Sequence, residues 1–147
     1  MREEQYKIRS KSSATTFEFI SEGPKGRIRK RVEYERINDD NLYNLAFGDV
    51  NLEKNTINDK IVSNNADTKK VLASVAATLL IFMKKHPFAI IYAKGGNSAR
   101  ARLYQMAVSN NLDAISERFD ILGVIDEDDI EVFQKNKNYI AFYISNK

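Results

Sequence analysis

Arg27-Ile28-Arg29-Lys30-Arg31-Val32-Glu33-Tyr34-Glu35-Arg36-Ile37 is the stretch whose reading decides the fold. Ile28, Lys30, Val32, Tyr34 and Arg36 fall on one side of an extended chain, and Arg27, Arg29, Arg31, Glu33 and Glu35 on the other. One face is mostly apolar and the other almost wholly charged, the pattern of a half-exposed antiparallel strand. Just upstream, Gly23-Pro24-Lys25-Gly26 is a turn, because proline presets one backbone angle and glycine supplies a positive one. Before it, Thr15–Ser21 puts Phe17 and Phe19 on one face and Thr16, Glu18 and Ile20 on the other. The two strands and their turn read as a hairpin. Tyr6–Ser10 is a shorter, weakly alternating strand; downstream, Asn38-Asp39-Asp40-Asn41 is a turn and Leu42–Phe47 a strand ending at Gly48-Asp49.

Residues 51–66 hold five asparagines and scattered apolar residues, which predicts a loop with a short extended piece around Ile61-Val62. Asp67 or Asn65 then caps a helix running to Lys85, with Val71, Leu72, Val75, Leu79, Phe82 and Met83 at helical spacing. His86-Pro87 ends it, since the residue before proline avoids the helical region; His86 is read as a helix terminator rather than a ligand. The run Phe88–Ala93 predicts a central strand covered on both faces. Lys94-Gly95-Gly96-Asn97 breaks it, and a second helix runs from Ser98 to Asn110. Ile115–Val124 and Tyr139–Ile144 read as strands, with the acidic Asp126-Glu127-Asp128-Asp129 between them as an exposed loop or short helix start. The whole predicts one α+β domain over residues 1–147: a mainly antiparallel sheet with two main helices packed on one face, in the order ββββ-α-β-α-ββ.

The chain of 147 residues is long enough for one domain with its own core, and 43% apolar against 29% charged residues excludes a disordered tail. With no cysteine there is no disulfide, thiolate metal site or cysteine nucleophile. The longest apolar stretch, Val71–Met83, is broken by Ser74 and Thr78 and falls short of the ~20 residues a bilayer crossing needs. Met1-Arg2-Glu3-Glu4-Gln5 has no apolar signal core. The expectation is a soluble, cytoplasmic protein without membrane contact. The net charge of +3 is uninformative until it is divided along the chain. Residues 67–112 carry seven basic side chains against one acidic, and residues 113–147 four against eight.

The feature most like a site is the strand–Gly95-Gly96–helix junction. A helix start leaves backbone N–H groups unpaired and carries partial positive charge, so it suits an anion. With Ala99, Leu103, Met106 and Ala107 taken as the buried stripe, Arg100 and Arg102 fall on opposite flanks and reach round that anion, with Lys94 entering from the other side. Asn97 or Ser98 is the N-cap, and Tyr104 is placed to stack on a base or donate a hydrogen bond. The plainer alternative is a tight turn with solvated arginines. Neither a Walker nor a dinucleotide fingerprint is present, so no cofactor is predicted.

The chain resembles a small bacterial family of unknown function, found mainly in Bacteroidota. The resemblance covers nearly the whole sequence. It rests on Gly23-Pro24-Lys25-Gly26, Tyr43-Asn44-Leu45-Ala46-Phe47-Gly48-Asp49, Ser63-Asn64-Asn65 with Asp67 and Val71-Leu72, and above all Ala99-Arg100-Ala101-Arg102-Leu103-Tyr104. The family pattern carries hydroxyl residues where this chain has Gly96, Asn97 and Ala101. The resemblance implies which residues matter but no activity.

Arg27, Arg29 and Arg31 share one strand face and form a secondary basic candidate for tracking phosphates. Asp49 and Asp59 are read as turn residues rather than cation ligands, and no metal site is predicted. The leading expectation is an anion- or phosphate-binding domain, for a nucleotide or nucleic acid, with RNA as one target. Were it to cleave RNA, the chemistry would fall to Arg, Lys, Tyr and carboxylates, since His86 is the only histidine. The alternative is a protein-interaction module, such as half of a two-gene system, using the charged sheet face or the acidic segment.

Overall fold

The computed structural model describes residues 4–11, 15–38, 40–58 and 63–147. Its strands are β1 (Arg9–Lys11), β2 (Thr16–Gly23), β3 (Gly26–Arg36), β4 (Leu42–Asn51), β5 (Thr56–Asn58), β6 (Ile90–Ala93), β7 (Phe119–Asp126), β8 (Asp129–Val132) and β9 (Ala141–Asn146). Its helices are α1 (Thr68–Lys85), α2 (Ser98–Asn110) and α3 (Leu112–Ser116). The strands form one sheet in the order β1-β2-β3-β4-β6-β9-β7-β8, with β5 paired to β4 off that path. Every pairing is antiparallel except β4 with β6, which α1 connects. The α+β reading therefore holds, with helices on one face. Among the described residues no helix is long and apolar enough to cross a membrane.

The alternation that opened the sequence reading sets the two faces. Phe17, Phe19, Val32, Tyr34, Tyr43, Leu45, Phe47, Ile91, Phe142 and Ile144 all turn inward and meet Val75, Leu79 and Phe82 of α1 and Tyr104 and Val108 of α2. Tyr34 stacks on Phe82 at 4.2 Å between centroids, and its hydroxyl shares a 2.8 Å hydrogen bond with Thr78. Burial pushes the Tyr34 phenol above its ordinary range, so it stays a neutral donor. At the far end of α1, the His86 N–H donates to the Phe82 carbonyl and its ring stacks on the Phe82 ring.

Several boundaries differ from the sequence reading. Residues 115–118 do not open a strand, because α3 continues the helical layer through Ser116 and β7 begins only at Phe119. The acidic stretch 126–129 is the turn of the β7–β8 hairpin, and β8 itself is too short and polar to stand out in the sequence. β5 is likewise an extra strand inside the expected loop, while Ile61-Val62 lies outside the described residues. Phe88–Ala93 is not covered on both faces: Phe88 is exposed, and only Ile91 and Ala93 of β6 are buried. Central position in a sheet does not bring double burial when every helix lies on one side.

Asn65 joins the start of α1 to the β2–β3 turn. It is 1% exposed, its Oδ1 accepts the Lys25 N–H at 2.7 Å, and its Nδ2 donates to the Gly26 carbonyl at 2.9 Å and Ser21 Oγ at 3.1 Å. Gly23 lies so close that a Cβ there would sit 2.0 Å from the Asn65 carbonyl oxygen. Asp67 is the N-cap residue of α1, but its carboxylate makes no cap hydrogen bond and instead accepts from Tyr6 at 2.6 Å and Ser21 at 2.5 Å. Replacing Asn65 by Ala leaves the Lys25 N–H and the Gly26 carbonyl without this partner, while Ser21 keeps its bond to Asp67, so Asn65→Ala is expected to lower stability by about 1–3 kcal/mol in urea titration. A loss below about 1 kcal/mol would mean that water replaces the amide there.

Candidate functional site

The strand-to-helix junction is built by Asn97, whose extended backbone and Oδ1 acceptor for the Arg100 N–H (3.0 Å) start α2. Gly95 is required by close packing: a Cβ would lie 2.3 Å from Arg100 Cβ and 2.6 Å from the Ala101 nitrogen. The space beside this glycine is filled by the helix's own first turn. The buried stripe of α2 is Arg100, Tyr104, Ala107 and Val108; Ala99 and Met106 are exposed and Leu103 half-buried, which corrects the stripe read from the sequence. Arg100 therefore points inward and Arg102 outward, and the two do not converge. Lys94, Gly96, Asn97 and Ser98 lie exposed at the junction, and Tyr104 is a core residue.

Arg100, 2% exposed, lays its guanidinium 4.7 Å from the centre of the Phe47 ring and donates toward the Asn58 carbonyl at 3.4 Å. The cation–π contact and hydrogen bonding compensate for lost water, which is how a charged side chain takes a core position. Lys30, 4% exposed, lines the same pocket of about 110 Å³ together with Ser63 and Thr68. Its ammonium pairs with Asp49 and donates to Ser63 Oγ at 2.7 Å. Asp49 thus holds a cation of the chain's own, and Asp59 lies outside the described residues. Among the described residues no three metal-binding side chains cluster. Among the described residues, Lys30 pairs with Asp49, and Asp67 lines the same inner pocket as Lys30 and Arg100, so two carboxylates accompany the two cations there.

The opposite sheet face carries a second network centred on Glu18. Its carboxylate receives Arg29 Nε at 2.8 Å, Arg31 Nε at 2.7 Å and Lys11 Nζ at 3.3 Å. Burial pushes the Glu18 carboxyl up, but the hydrogen bonds and charges of Arg29 and Arg31 outweigh it and hold the group at about 2. Arg31 is further tied to the Asn55 carbonyl at 2.9 Å, so it does not join an open basic face. Arg27, by contrast, makes a loose 3.5 Å contact with Glu22 and is 70% exposed.

Beside this network, along the edge of β2, lies a cleft of about 470 Å³. Among the described residues six cations line it, Lys7, Arg9, Lys11, Arg27, Arg29 and Lys70, against two carboxylates, Glu18 and Glu22. Its apolar wall is Phe19, Ile20 and the ring of Tyr6, which stacks on Phe19 at 5.8 Å and carries the Lys70 ammonium 4.3 Å from its centre. Alternation marks Arg27 and Arg29 in the sequence as part of a basic face, whereas Lys7, Arg9 and Lys11 join them only through strand register. Their signal was present, because basic residues at 7, 9 and 11 repeat the period-two spacing of 27, 29 and 31.

A family model described as a family of unknown function, DUF6934, matches residues 2–147, and the chain belongs to that family. No curated protein and no solved structure matches it.

Two outcomes test these local accounts. Gly95→Ala forces overlap with the first turn of α2 and is expected to cost about 1–3 kcal/mol in thermal or urea unfolding. Glu18 is held below its unfolded value, so its contribution is complete above about pH 4.5 and is lost as pH falls toward about 2. Glu18→Gln is therefore expected to lose about 3 kcal/mol at neutral pH and to flatten the pH dependence of unfolding across that acid window. An unchanged acid slope would remove Glu18 from this role.

Proposed function

We propose that this is an anion-binding domain for a phosphate-bearing ligand of the nucleotide or nucleic-acid class, single-stranded RNA foremost, which lies along the cleft at the β2 edge. The observation that carries the reading is the charge count: among the described residues six cations line that cleft against two carboxylates. The inner pocket, where among the described residues Asp49 and Asp67 accompany Lys30 and Arg100, offers an anion much less. Exposed cations on one surface attract phosphates in a salt-dependent way and need no base-specific contact.

The geometry suits an extended strand. Lys7, Arg9 and Lys11 occupy alternate positions leading through β1, so successive cations advance by about 6.6 Å. That step is of the same order as the phosphate spacing of a stretched single strand. Arg27 and Arg29 supply a second row across the cleft, and Ile20 and the ring of Tyr6, backed by the buried Phe19, supply an apolar wall for a base. The junction residues Lys94 and Arg102 sit on α2 and its approach, outside this cleft.

The test is fluorescence anisotropy with a short single-stranded RNA, a duplex DNA and a free nucleotide at low and moderate salt. The single strand is expected to bind with log affinity falling by about 0.7 per neutralised phosphate for each decade of salt. Lys7→Ala with Arg9→Ala is expected to weaken binding about tenfold and to shallow that slope, with the fold unchanged by circular dichroism. Lys94→Ala and Arg102→Ala leave it unaltered. Absence of binding at low salt, or loss through Arg102→Ala instead, would overturn the assignment to this cleft.

A further inference from the structure

The chain ahead of β2 lies along the outer edge of that strand as a strap. Period-two alternation divides it: Tyr6 and Ile8 are partly buried against the core, while Lys7, Arg9 and Lys11 stay exposed. This strap carries three of the six cations that line the basic cleft among the described residues. Its pairing with the sheet is slight. β1 is three residues long, all of them exposed, with Ser10 opposite Phe17. Segments with so few buried contacts open locally at low cost, so the strap depends on whatever fixes its other end.

That end is Tyr6, which is latched to both layers of the fold. Its backbone N–H donates to Ser74 Oγ of α1 at 2.9 Å, and the buried Ser74 hydroxyl donates in turn to the Lys70 carbonyl at 2.8 Å. Its own hydroxyl donates to Asp67 Oδ2 at 2.6 Å and accepts the Glu22 N–H of β2 at 3.0 Å. Burial and the neighbouring Asp67 carboxylate push the Tyr6 phenol up, so the hydroxyl keeps its proton for Asp67. Asp67 also accepts from Ser21, which fixes the carboxylate in place. Asp67 itself is not part of the cleft lining.

We infer that Asp67 is the positioning residue of the cleft: by latching Tyr6 it holds the strap down, so that Lys7, Arg9 and Lys11 face Arg27 and Arg29, and closure of the latch regulates ligand binding. The inference rests on the reading of the cleft as the phosphate-binding site. A strap that is already fastened has lost its conformational freedom before the ligand arrives, whereas a loose one must be ordered at the expense of affinity. The apparent affinity falls with the fraction of chains whose strap is closed. The coupling is reciprocal, so a ligand that bridges strap cations and β3 cations tightens the latch.

The sign of one effect separates this role from plain electrostatics. Asp67 is a negative charge near a site for anions, and Coulomb's law alone says that its removal strengthens phosphate binding. The latch demands the opposite, because without Asp67 the strap cations no longer stand in place.

The test joins anisotropy titration of a short labelled oligouridine with amide exchange by NMR on the full chain. Tyr6→Phe keeps the ring and removes the hydroxyl; in the free protein it is expected to speed exchange of the residue 6 and Glu22 amides about tenfold, with α2 and β9 unaffected. The same variant is expected to weaken oligouridine binding about fivefold at low salt, with circular dichroism unchanged. Asp67→Ala is expected to weaken it similarly, and to weaken it no further in the Tyr6→Phe background. Should Asp67→Ala fail to fold, Tyr6→Phe carries the test alone. Saturating oligouridine is expected to slow exchange at both amides of the unaltered chain about fivefold. Tighter binding by Asp67→Ala, or binding and exchange untouched by Tyr6→Phe, would overturn the inference while leaving the cleft reading intact. Absence of oligouridine binding at low salt would overturn that reading and this inference with it, whatever the exchange rates of the free protein show.

Discussion

A single buried carboxamide holds the two layers of this protein in register. Asn65 fills the inside of the β2–β3 turn, satisfies that turn's backbone groups, and leaves no room for a side chain at Gly23. Asp67, two residues on, ties the same helix start to Ser21 and Tyr6. The helix that follows supplies most of the core's second layer, so its rotation over the sheet depends on where it begins. Gly23-Pro24-Lys25-Gly26 and Ser63-Asn64-Asn65, two segments that carry the family resemblance, are the two halves of this contact. Two others, around Phe47 and Arg100, meet in the stacking of a guanidinium on a ring.

The second theme is how the chain houses charge. Lys30, Arg100, Glu18 and Arg31 are all nearly inaccessible, and each sits among groups that hold its charge in place. Among the described residues no buried side-chain nitrogen or oxygen lacks a hydrogen-bond partner. An isolated charge in such places would cost several kcal/mol, so these pairs secure geometry more than they add stability. Arg27, in its loose contact with Glu22, stays 70% exposed by contrast.

Much of the architecture was legible because period-two alternation is strong wherever one sheet face is dry. The hairpin at residues 16–36 followed from it, while the limits of α1 and α2 came from helical spacing, the cap at Asp67 and the breaks at His86-Pro87 and Gly95-Gly96. The rotation of α2 came from neither. Pattern reading puts arginine outside by default, and nothing local reveals that Phe47, far away in sequence, offers Arg100 an aromatic face. β8 and α3 escaped for another reason: elements of four and five residues carry too little periodicity to rise above their neighbours. The candidate site was legible in part. Arg27 and Arg29 were visible as a basic face, but their joining with Lys7, Arg9 and Lys11 depends on strand register.

The place of β9 in the sheet has a consequence for how the chain is made. The last strand of the sequence lies in the interior of the sheet, between β6 and β7, and hydrogen-bonds to both. During synthesis, the meander from β1 to β5 and helix α1 can assemble as they emerge, since their contacts are with near neighbours. β6 can add to β4 and β7 can pair with β8, but the edges they turn toward each other stay open, because the strand that joins them is translated after both. Until the ribosome has passed Asn146, the nascent protein therefore displays unpaired edges and apolar side chains on two sides of a gap. In the cell, that interval is when holding chaperones have most to grip.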